Sequence, residues 1–206
     1  MLLDADDCQL VLVDYQARLM PVIAHGEEVL ARARLLAQAA QRLGVPVWGT
    51  EQNPGKLGPN DASLRALCEQ TFAKMSFDAS QSDLTLALRP PAPPVRTGGN
   101  ARSLPKHLQK NRDNPAPAAP SRGTLVLAGC EAHVCLLQTA LGLLEQEFEV
   151  WVVTDACGSR RDRDRDAAFD RLAGNGVELV TSEMVVFEWL QDCEHPDFRD
   201  VLALVK

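Results

Sequence analysis

Short runs of consecutive apolar, β-favouring residues alternate along this chain with stretches whose apolar positions recur every three or four residues. The runs Gln9 to Asp14, Val45 to Thr50, Leu125 to Leu127, Phe148 to Val153 and Val177 to Val180 have the composition of strands buried on both faces. Thr71 to Phe77 reads as a further short strand. The longest helical pattern runs from Glu27 to Leu43, with Val29, Leu30, Ala33, Leu36, Ala37, Ala40 and Leu43 on one face and Gly44 as its stop. Shorter helices are predicted over 62–69, 80–88, 182–190 and 198–205, with one more opening in the SRRDRDRD run at Ser159 and ending near Ala173. Strands alternating with helices imply a three-layer α/β/α domain, a parallel six-stranded Rossmann-like sheet with helices on both faces.

The chemistry concentrates in Thr124 to Gly142, TLVLAGCEAHVCLLQTALG. A buried strand runs to Ala128-Gly129, where small residues permit a sharp turn, and helical spacing begins with Val134, Leu137 and Leu141. Cys135 therefore falls on the first helical turn above the carboxyl ends of the strands, where open α/β sheets place their ligands. The field of a helix amino end lowers a thiol pKa, so a reactive thiolate is expected there; a buried structural thiol is the competing reading. Asp14 closes the first strand on the same edge of the sheet, and Lys74 lies near that edge in the third.

The chain of 206 residues carries a net charge of −7, but the charge is uneven. Seven of its 21 Lys and Arg, against one acid, fall between Arg89 and Arg122. The remaining acidic body argues against nucleic-acid binding. That basic segment, 90–122, is rich in proline and nearly devoid of periodic apolar residues, so a flexible insertion is expected within a single domain spanning 1–206. No apolar run reaches the roughly 20 residues of a membrane span. The acidic start, MLLDADDCQLVLVD, is unlike a basic secretory leader, so a cytoplasmic protein with reduced thiols is expected. Six cysteines without a C-x-x-C pair give no zinc or thioredoxin-like signature, and no G-x-G-x-x-G or phosphate loop follows a strand.

Four segments in order resemble the isochorismatase-like hydrolase family of cysteine hydrolases: LVLVDYQ with Asp14 and Gln16, FAKMSF around Lys74, AGCEAHVCLLQTAL around Cys135, and VVTDACGSR from Val152 to Arg160. The loop TEQNPGKLGP and the ending EHPDFRDVLALVK further resemble a poorly characterised subgroup. The resemblance implies an Asp–Lys–Cys triad at Asp14, Lys74 and Cys135. It also implies a cis peptide at Cys130-Glu131 and an oxyanion hole from the amides of Glu131 and Cys135. The expected substrate is a small amide or related C–N compound, hydrolysed through a Cys135 thioester, and a homodimer or larger oligomer is expected. Tyr15, Gln16, Gln52, Phe77, Glu131 and His133 are candidate pocket residues. Nicotinamidases of the family bind a metal through an Asp and histidines around the loop after the second strand. Here that loop carries Glu51, Gln52 and Asn53 and no histidine, so no metal and no other cofactor is expected. A Cys–His dyad with His133 is disfavoured, because i, i+2 side chains do not face each other on a helix. Two other readings remain open: a catalytically silent binding or scaffold protein on this fold, and a thiol redox protein using Cys130 and Cys135.

Overall fold

The computed structural model describes residues 2–90 and 122–206, so the expectation of a flexible insertion falls, but for its two ends, outside the described residues. The strands are β1 (Cys8–Val13), β2 (Val47–Gln52), β3 (Gln70–Lys74), β4 (Thr124–Gly129), β5 (Glu149–Val153) and β6 (Glu178–Val180). They form one all-parallel sheet in the order β3-β2-β1-β4-β5-β6. The helices are α1 (Gly26–Arg42), α2 (Pro54–Leu57), α3 (Ala62–Arg65), α4 (Leu84–Leu88), α5 (Leu137–Glu145), α6 (Asp162–Gly174), α7 (Ser182–Leu190) and α8 (Phe198–Val205). One layer packs α1 against α3, α7 and α8; the other joins α5 and α6. Every residue of β1 and β4 is buried, as expected of largely apolar strands covered by helices on both faces; the polar exceptions are Gln9 and Thr124.

Chain direction across the sheet reverses between β1 and β4, which are neighbours although far apart in sequence. A crevice opens beyond the carboxyl ends of strands at such a point. Two devices bring the strands this close. Gly129 lies so near β1 that an added Cβ would stand 2.6 Å from the Val13 Cβ, so close approach, rather than turn geometry, requires glycine here. At the opposite, amino-terminal rim, the buried Gln9 side chain uses one nitrogen to donate to the carbonyls of Leu88 (2.9 Å) and Arg122 (3.0 Å). Its oxygen accepts from the Trp48 indole at 3.0 Å.

Local departures from the sequence pattern have local causes. The helix expected over 62–69 stops at Arg65, since the Glu69 amide already donates to Val47 and the chain is entering the sheet. The third strand ends at Lys74 rather than Phe77. Extended backbone at Ser82, whose hydroxyl donates to Ala79, divides the expected 80–88 helix into a 3-10 turn, Ala79–Gln81, and α4. The loop after β2 contains the short α2, begun by Pro54, whose fixed φ suits a first helical turn.

Candidate active site

Asp14 follows the last residue of β1 in the left-handed conformation, with φ 56°. Asp tolerates this better than most residues. The consequence is directional. Val13 and Thr50 are partners in the parallel ladder and point to one face, so regular alternation would send Asp14 to the other. Instead the Asp14 carboxylate reaches back to Thr50, whose hydroxyl donates to Oδ1 at 2.7 Å.

Lys74 ends β3 directly opposite Gln52 in the ladder, so the two side chains share a face. Lys74 Nζ donates to Asp14 Oδ2 at 2.7 Å and to Gln52 Oε1 at 2.9 Å, with the Phe77 carbonyl at 3.3 Å. Both members of the ion pair are closed to water, with side-chain exposures of 1% for Lys74 and 0% for Asp14. A buried ammonium must spend its donors on acceptors, and this one does.

Cys135 lies between strand and helix, in a single π turn, Ala132–Leu136, that precedes α5. It is buried but for 6% of its surface and stands close enough to Asp14 and Lys74 for both to act on its ionisation. Burial pushes the thiol up to about 12, with Asp14 adding to the rise and Lys74 opposing it. The low pKa expected from the helix amino end is therefore corrected: removal from water outweighs the favourable field. The resting group is a neutral thiol beside a carboxylate, which calls for a base at the moment of attack.

The π turn also changes which amides are engaged. In a regular α-helix the Cys135 amide would donate to the Glu131 carbonyl. Here that carbonyl accepts from Val134 (3.0 Å) and Leu136 (3.3 Å), passing Cys135 over. The peptide joining Cys130 to Glu131 is cis. Glu131 is fixed by its side chain, whose Oε2 accepts from the Arg160 amide at 3.0 Å and from Arg160 Nε at 2.9 Å.

The other expected pocket residues separate into two groups. Tyr15 is fully buried with its hydroxyl donating to the Ala156 carbonyl, a scaffold position in place of a pocket wall. Gln16 is equally buried: Nε2 donates to the carbonyls of Gln52 (3.0 Å) and Gly58 (2.6 Å), and Oε1 accepts from the Gln52 amide (2.8 Å). Gln52 is committed to Lys74 and, through Nε2, to the Met75 carbonyl at 2.8 Å. Phe77, in contrast, is half exposed where the chain leaves β3. His133 is partly buried, with Nδ1 3.0 Å from Ser159 Oγ. Cys130 is fully buried beside Cys157 and Tyr15, and its thiol is held well above the ordinary value by burial.

Residues 8–184 match the family described as Isochorismatase domain. The chain belongs to the isochorismatase family. Isochorismatase domain-containing protein 2 from Bos taurus is 34% identical over 197 residues, covering 96% of this chain and 82% of the relative. Among solved structures, the MAR1 ribonuclease of Caenorhabditis elegans superposes with a TM-score of 0.81 at 27% identity, covering 100% of this chain and 92% of that one. The YcaC gene product of Escherichia coli, an octameric hydrolase of unknown specificity, gives a TM-score of 0.74 at 23% identity, covering 98% and 95%. At that identity the likeness shows the isochorismatase fold alone.

Thr50 carried no signal in the sequence as a site residue, because a threonine ending a buried strand looks like any other β-former. Only its two-residue spacing from Gln52, together with the ladder register, reveals it. No helix among the described residues is long and apolar enough to cross a membrane.

Proposed function

We propose that this isochorismatase-family protein is a cysteine hydrolase acting on a small amide or related C–N substrate without a metal. Family membership supports a hydrolase-type activity. The observation that carries the finer reading is the meeting of the buried Cys135 side chain with the buried Asp14–Lys74 pair, whose charged atoms lie 2.7 Å apart. A thiol held near 12 is not itself a good nucleophile at neutral pH, so its proton must leave as it attacks. Asp14 takes that proton, and Lys74 balances the negative charge left in the dry site. Sulfur bonds to the carbonyl carbon, and the oxygen becomes an oxyanion facing the amides of Glu131 and Cys135. The second of these does not donate to the Glu131 carbonyl, its partner in a regular α-helix. Collapse breaks the C–N bond, and the amine departs with the proton held by Asp14. Water, deprotonated by Asp14, then hydrolyses the thioester and returns the thiol.

The last two side chains of β2, which the structure places in the strand and not in the loop after it, support a metal-free reading by their commitments. Gln52 is engaged with Lys74, and Glu51 Oε1 accepts from the Asn60 amide at 2.9 Å, so both already serve partners within the fold. A homo-oligomer belongs to the same proposal, with the octameric YcaC of Escherichia coli as its precedent, and light scattering in solution tests it.

A panel of small amides, ureas and an RNA oligomer, assayed with wild type and Cys135→Ala in parallel, tests the reaction. Release of ammonia or amine by wild type alone, with an acyl group trapped on Cys135 after acid quench, is the expected result. RNA cleavage that survives in Cys135→Ala, or amide turnover that does, overturns the proposal.

A further inference from the structure

Strand β2 presents two polar side chains, two residues apart, to the face on which Asp14 and Lys74 meet. Thr50 holds Asp14 Oδ1 and Gln52 holds Lys74 Nζ, at 2.7 Å and 2.9 Å. Both are buried, Thr50 completely. We infer that Thr50 and Gln52 are positioning residues that fix the acid–amine pair in the orientation from which Asp14 can accept the Cys135 proton. The inference rests on the hydrolase reading above and deepens it.

Each bond fixes a degree of freedom that the ion pair alone leaves open. A carboxylate held only through Oδ2 by Lys74 can swing about its Cα–Cβ and Cβ–Cγ bonds. A second bond, to Oδ1 from a hydroxyl on a different strand, defines the carboxylate plane. The Thr50 carbonyl reinforces it by accepting from the Asp14 amide at 3.2 Å. The threonine side chain is itself stiff, since branching at Cβ restricts χ1.

The orientation of the Gln52 amide follows from its partners. Its nitrogen must face the Met75 carbonyl, which can only accept, so its oxygen faces Lys74. The Gln52 backbone is tied at both polar atoms to the Gln16 side chain, which also holds Gly58. The acceptor for Lys74 is thus pinned from three directions. A glutamate at this position would have the same shape, but it would set a carboxylate against the Met75 carbonyl and give the ammonium a second carboxylate.

Alkylation of Cys135 by iodoacetamide at neutral pH, followed by peptide mass spectrometry, reads the thiol–base contact without requiring a substrate. Thr50→Val is expected to slow alkylation at Cys135 by about tenfold or more, the effect of losing a hydrogen bond to a charged group. Thr50→Ser, which keeps the hydroxyl, is expected to restore it. Against an Asp14→Asn background, Thr50→Val should add no further slowing, because the group it positions is already disabled. Gln52→Glu is expected to slow alkylation at unchanged side-chain volume, and it carries the test if Thr50→Val does not fold. Wild-type rates in both Thr50→Val and Gln52→Glu, or equal slowing by Thr50→Val with and without Asp14→Asn, would overturn the inference. Should the alkylation pattern hold while no amide is turned over, the hydrolase reading fails and the positioning roles stand.

Discussion

Asp14 and Lys74 are contributed by strands that never touch, β1 and β3, yet their charged atoms lie 2.7 Å apart with β2 between them. Removing one partner leaves the other as an uncompensated charge in a dry site, a loss of about 3–5 kcal/mol. Lys74→Met is therefore expected to be strongly destabilising in urea unfolding. The double variant Asp14→Asn with Lys74→Met should recover part of that loss, because no charge is then stranded. A double variant weaker than the single one would contradict this account.

Alkaline pH should weaken the fold through its thiols. Burial pushes Cys135 and Cys157 up to about 12, and Cys8 and Cys68 up to about 11, from an ordinary value of 9.0. Once pH passes the ordinary value, the unfolded chain loses these protons while the folded chain keeps them. The unfolded state then binds fewer protons, so stability falls with rising pH. The urea midpoint should be steady up to about pH 8 and decline through about pH 10. Cys157→Ala should make that decline shallower.

Gly129→Ala tests the close approach of β4 to β1. Its Cβ would meet Val13, the residue before Asp14, so the two strands must separate. Overpacking of this kind costs about 1–3 kcal/mol. Thermal unfolding should register the loss, and iodoacetamide labelling of Cys135 should slow because Asp14 moves with Val13. A stable variant with wild-type labelling would show that the strands can part without disturbing the site.

Tyr15→Phe separates scaffold from pocket. The variant keeps the ring but leaves the buried Ala156 carbonyl without its donor, at a cost of about 1–3 kcal/mol. For any amide the protein turns over, KM should stay at the wild-type value while the melting temperature falls. A raised KM with unchanged melting would return Tyr15 to the substrate pocket.

The strands, the major helices and the sheet-edge location of Asp14, Lys74 and Cys135 were legible because each depends on local patterning. Apolar runs mark buried strands, and their ends mark the rim. The roles of Gln16, Gln52 and Thr50 were not legible in that way. Gln52 looks like an exposed loop residue until the ladder places it opposite Lys74, and that register is a tertiary property. The choice between a reactive thiolate and a buried thiol at Cys135 is not legible either, for a related reason. A helix-end field can be guessed from sequence, whereas the water lost by a side chain depends on everything packed over it. The irregular π turn likewise leaves no periodic trace in five residues.

Gln9 has a consequence for engineering. One side-chain amide on β1 holds both the Leu88 carbonyl, at the end of α4, and the Arg122 carbonyl, just before β4, so the two chain ends that flank residues 91–121 are anchored at a single point. That point lies at the rim remote from Cys135. The protein thus carries a two-ended clasp, which a single change, Gln9→Leu, would open at both ends.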